Sequence, residues 1–120
     1  MLKHYATTLV LGPLLLLQGR HVRRVTPVLP EPPGAREGRV GSGPLLRVLI
    51  LGDSAAAGVG AATQATALSG QLAAALAPRF EVAWKLVAHT GATTNDTLRT
   101  VAALDREVFD VVVTSLGVND

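Results

Sequence analysis

Three short stretches of this 120-residue chain combine chemically capable side chains with glycines that let a ligand come close. The first is Gly52-Asp53-Ser54, followed by Gly58 and Gly60; the second is His89-Thr90-Gly91-Ala92-Thr93; the third is Gly117-Val118-Asn119-Asp120. A serine hydroxyl becomes a nucleophile when a base takes its proton. A glycine offers its backbone N–H with no Cβ beside it. An asparagine amide is a neutral donor that needs no change of protonation to meet a developing charge. Taken singly, each residue has a commoner structural job: Ser54 as a helix cap, Gly91 as a turn, Asn119-Asp120 as the start of a loop. Only together, in this order, do they suggest a site.

The elements between the motifs say where they must lie. Leu46-Arg47-Val48-Leu49-Ile50-Leu51 is an almost continuous apolar run ending at Gly52, the pattern of a strand buried on both faces. Leu68, Leu72 and Leu76 recur every four residues in an Ala-rich segment stopped by Pro78, which predicts a helix. Phe80 to Val87 reads as a second strand, closing at His89-Thr90-Gly91. Thr93 or Thr94 can cap a second helix with Leu98, Val101, Leu104 and Val108 on one side. Asp110 to Leu116 reads as a third strand, ending at Gly117. Strand, helix, strand, helix, strand is a parallel α/β order, with right-handed crossovers. Ligands bind such sheets beyond the carboxyl ends of the strands, which is where all three motifs fall.

With these motifs in this order, residues 46–120 resemble the SGNH hydrolases, also called GDSL esterases and lipases. The resemblance implies a three-layer, flavodoxin-like α/β fold with a parallel sheet, present here incompletely with about three strands, the first central and the other two flanking it. It implies that Ser54 is the nucleophile that forms an acyl-enzyme with an ester. The backbone N–H groups of Ser54 and Gly91 and the side-chain amide of Asn119 would form the oxyanion hole. Gly52, Asp53, Gly117 and Asp120 would support them, the two aspartates as hydrogen-bonding partners rather than as acids or bases. A serine early in a helix would also feel the helix's positive end. The implied substrate is a small-molecule or lipid ester; short acyl chains, lysophospholipids, thioesters and acetylated sugars all fit. No cofactor is implied.

A base is the missing part. The family carries it, with its orienting carboxylate, in an Asp-x-x-His motif two strands further on, and none of His4, His21 or His89 has an aspartate three residues before it. His89 lies two residues from Gly91 and reads as a polar lining residue. The expectation is therefore the front part of a longer hydrolase, inactive by itself, with Val111-Val112-Val113 left as an apolar sheet edge. A non-catalytic remnant or ligand-binding α/β module is the alternative.

Composition removes other classes. The chain has no cysteine, hence no disulfide, thiolate metal site or cysteine nucleophile. Aromatics make up 3%, so the core must be aliphatic. The net charge of +2 hides an asymmetry. Residues 1–47 carry seven basic and two acidic side chains, net +5, and residues 48–120 carry four and seven, net −3. The folded part thus lacks the basic face and aromatics that nucleic acid would want. Thr63 spoils G-x-G-x-x-G after Gly58 and Gly60, Ala56 spoils G-x-S-x-G, and no P-loop or usable set of metal ligands occurs.

Two further segments precede the domain. Residues 1–24 hold the aliphatic run Leu9 to Leu17, broken by Gly12 and Pro13, with Lys3 before it and Arg20, Arg23 and Arg24 after it. That run is shorter than the roughly 20 apolar residues of a spanning helix. Its charges follow rather than lead, unlike a signal peptide. Membrane contact through residues 5–24, lying in an interface, is weighed against a hydrophobic helix packed on the domain; the compartment is left open between membrane-associated, cytoplasmic and exported. Residues 25–45, with five prolines and four glycines, read as a linker without regular hydrogen bonding.

Overall fold

The computed structural model describes residues 2–104 and 106–120; Met1, which begins the first segment, and Asp105 lie outside them. Helix α1 spans Leu2–Val25 with Pro13 inside it. From Thr7 to Val25 its side chains are exposed, with only Gly12 partly covered, so it does not pack on the domain as a buried lead-in. Among the described residues no helix is long and apolar enough to cross a membrane.

Strand β1 (Glu37–Val40) follows, then β2 (Leu45–Gly52), the single-turn helix α2 (Ser54–Ala57) and a 3₁₀ turn at Gln64–Thr66. Helix α3 (Leu68–Leu76), β3 (Glu81–Ala88), α4 (Thr94–Ala103) and β4 (Val111–Ser115) complete the order. The sheet runs β1-β3-β2-β4, with β2 central and parallel to both β3 and β4. The three strands read from sequence are all present. The fourth, β1, lies in the segment read as a linker and pairs antiparallel with β3, making the sheet mixed. Its four residues are all exposed, so backbone pairing to β3 holds it rather than burial.

Val48, Leu49, Ile50 and Leu51 of β2 are all buried, as a two-faced central strand requires. On one face Val48, Ile50, Val82, Leu86 and Ala88 pack against Ala56, Ala57 and Ala73. The core is aliphatic, with Phe80 and Trp84 only at its border. Helix α3 turns Ser69 and Ala73 inward while Leu68 lies exposed, so small residues form the contact and the leucines flank it. On α4 the buried residue is Thr97, and Leu98 and Val101 are exposed. The β4 edge carries Val111 and Val112 exposed. Asp110 anchors its start. Its carboxylate accepts from the Arg47 backbone N–H at 2.8 Å and from the Arg47 guanidinium at 3.0 and 3.1 Å.

Candidate active site

The carboxyl ends of β2, β3 and β4 are tied to one another by main-chain hydrogen bonds. His89 N–H donates to Gly52 O at 3.3 Å, and Asp53 N–H donates to Ser115 O at 3.1 Å. Gly52 has no room for a side chain. A Cβ there would land on Ser115 O and within 2.6 Å of the Ala56 Cβ. Asp53, almost fully buried, caps α2 by accepting from Ala55 N–H at 3.0 Å. Ser54 is thus the first residue of a helix only four residues long, half-buried at the sheet's rim. The macrodipole expected from a following helix is reduced to one turn's unpaired N–H groups. Among the described residues, neither the Ser54 N–H nor its hydroxyl has a hydrogen-bond partner.

The turn after β3 closes with Ala92 N–H donating to His89 O at 3.2 Å. Gly91 has φ +80°, a left-handed conformation that favours glycine, and a Cβ there would meet nothing within 4 Å. Its N–H has no hydrogen-bond partner among the described residues. Ala92, by contrast, is fully buried. Thr93 caps α4 in reciprocal hydrogen bonds with Asp96.

Gly117, also at positive φ, turns the chain after β4 toward this loop. Asn119 Nδ2 donates to Ala92 O at 3.1 Å. A primary amide has two N–H groups, so this bond orients the side chain and leaves one donor over. Asp120 accepts from Thr94 N–H at 2.7 Å and from Thr94 Oγ1 at 2.6 Å. The structure therefore brings the loops of Ser54, Gly91 and Asn119 to one end of three adjacent strands. The imidazole of His89 is exposed and makes no hydrogen bond to Ser54.

Sequence reasoning missed the residues that brace this end from the supposed linker. Glu31 Oε1 accepts from Thr90 N–H at 2.7 Å and from Thr90 Oγ1 at 3.1 Å. Its Oε2 accepts from Arg36 Nη1 at 2.8 Å, and Arg36 Nη2 donates to Ala88 O. Buried Gln64 donates to Ala57 O at 2.9 Å and accepts from Ser69 Oγ at 3.1 Å, while Gln64 N–H donates to Pro33 O. Residues 31–36 thus form a strap joining the loop after β2 to the loop after β3. An apolar cavity of about 610 Å³ lies beside it, lined by Gly34, Ala35, Gln64, Ala73 and Trp84 among others. Ser54, Gly91 and Asn119 do not line it.

Four carboxylates, three of them at this end of the sheet, are held toward their charged form. Hydrogen bonds from Arg36 and Thr90 lower the Glu31 pKa, Thr93 lowers that of Asp96, and Thr94 that of Asp120. Arg47 does the same for Asp110, whose hydrogen bonds and charge in turn raise the Arg47 pKa. Folded pKa values below the unfolded ones stabilise fully above about pH 5, and that contribution disappears as pH falls through the lowered values. The thermal midpoint is expected to drop between pH 6 and pH 3. An unchanged midpoint would mean that these contacts do not form in solution.

A mixed α/β sheet whose three parallel strands carry the Ser54, Gly91 and Asn119 loops at their carboxyl ends has the arrangement of an incomplete SGNH-type, flavodoxin-like fold. Residues 50–120 match the GDSL-like lipase/acylhydrolase family, and the chain belongs to that family. The comparison with curated proteins finds no match. Membership gives it a general esterase or acylhydrolase function on ester substrates.

Proposed function

We propose that Ser54 is the nucleophile of an ester hydrolase working through an acyl-enzyme. The carrying observation is the convergence of three loops, locked by the His89–Gly52, Asp53–Ser115 and Asn119–Ala92 hydrogen bonds. The Ser54 oxygen attacks the ester carbonyl carbon, its proton passes to a base, and the carbonyl oxygen becomes an oxyanion. The N–H groups of Ser54 and Gly91 and the free Asn119 N–H stabilise that charge. The C–O bond to the alcohol then breaks, the alcohol takes up a proton, and water later releases the acid by the same route. No described side chain is hydrogen-bonded to Ser54. Rate enhancement from oxyanion donors and binding alone is on the order of 10³–10⁴ over water.

The test is prolonged exposure to an alkyl fluorophosphonate, with the adduct located by peptide mass spectrometry. A single adduct on Ser54 is the expected result; an adduct elsewhere, or none, removes the nucleophile assignment. The unpartnered hydroxyl favours a second reading, ester binding without turnover. That reading predicts no adduct but saturable binding of a non-hydrolysable ester analogue.

A further inference from the structure

The turn that presents Gly91 is gripped from outside the strand–helix repeat, and the grip centres on one carboxylate. Glu31 takes both the N–H and the hydroxyl of Thr90 on one oxygen. Its other oxygen takes Arg36, whose second nitrogen reaches Ala88 O. The peptides on either side of His89 are therefore both tied to the same ion pair. On the far side of Gly91, Ala92 is buried and its carbonyl is held by Asn119. Gly91 is the unheld link between two held ones, its N–H without a partner among the described residues and nothing within 4 Å of where a Cβ would stand.

We infer that Glu31 is a positioning residue for the Gly91 N–H, aiming it at the oxyanion of the Ser54 reaction. The inference rests on the Ser54 reading proposed above. A glycine at positive φ has wide freedom of rotation, and a donor that must reorganise as charge develops is worth less than one already aimed. Fixing Thr90 removes that freedom one peptide before the donor. Arg36 has a second effect. A bare carboxylate this near a developing oxyanion would oppose it, and the guanidinium makes the pair neutral. Pro32 and Pro33 stiffen the segment that carries Glu31, and Pro32 is buried with its ring against Gly58.

The test measures fluorophosphonate labelling of Ser54 as a maximal rate and a half-saturating concentration, for the full chain and three variants. Glu31→Ala is expected to lower the maximal rate ~10- to 100-fold, the loss typical of a misplaced reacting group, with the half-saturating concentration nearly unchanged. Glu31→Gln keeps an acceptor for the Thr90 N–H and should recover the rate to within a few fold. Glu31→Asp keeps the charge and the proline anchors but is one methylene too short to reach both partners; it should be slow while folded, and it decides the matter if Glu31→Ala fails to fold. Wild-type rates in Glu31→Ala and Glu31→Asp, or a Gln variant as slow as the Ala variant, would overturn the positioning role alone. A wild-type chain that takes no label at Ser54 overturns the nucleophile assignment and the positioning role together.

Discussion

Gly52→Ala is expected to lower the thermal midpoint by roughly 12–24 °C, the equivalent of about 3 kcal/mol in a domain this size. The new methyl group would strike Ser115 O and crowd Ala56. Ser115 O is the acceptor that ties β4 to Asp53 N–H, and Ala56 is fully buried in the core. Neither can step aside cheaply: moving the first unpairs β4, and moving the second shifts α2 together with Ser54. Backbone atoms, unlike the far end of a long side chain, have no alternative rotamer. A thermal melt of the purified variant checks this, and a shift under about 4 °C would show that the strand ends are looser than described.

Asn119→Ala should slow labelling of Ser54 by ~10²–10³-fold, the usual cost of losing one oxyanion donor. The same change removes the bond to Ala92 O, so some stability goes with it, about 1 kcal/mol for one partly covered hydrogen bond. The two effects separate by size. If the rate falls only as far as the loss of folded protein explains, Asn119 is a strut for the Gly91 turn and not a donor to substrate. Comparing labelling rates with denaturant midpoints on the same preparations distinguishes the two roles.

Much of this was legible in the residues themselves. The apolar run before Gly52 marks β2 because a strand covered on both faces needs no alternation, and Val48 to Leu51 are all buried. Thr93 advertises the start of α4 because a cap is a local hydrogen bond between neighbours in sequence. The placing of Ser54, Gly91 and Asn119 at one end follows from strand order and parallel direction. What stayed hidden depends on partners far along the chain. Glu37 to Val40 has no buried face and no periodicity, and becomes a strand only because β3 offers an unpaired edge. Glu31 and Arg36 look like ordinary charges in a proline-rich tract until Thr90 and Ala88 are brought to them. On α3 the large residues drew attention, but Leu72 and Leu76 only border the core, while Ala73 is buried in it and Ser69 is buried against Gln64.

The strap also orders events in time. Its bonds to Ala88 and Thr90 join residues 52 and 59 positions apart, and β1 must wait for a strand that begins at Glu81. Closing loops of that length costs entropy that no local pairing offsets beforehand, so the strap can settle only on a finished β3. On the ribosome, residues 31–40 emerge before every other part of the sheet and find their seat after β2, α3 and β3 have formed. Until they do, the turn carrying Gly91 has its walls but not its brace.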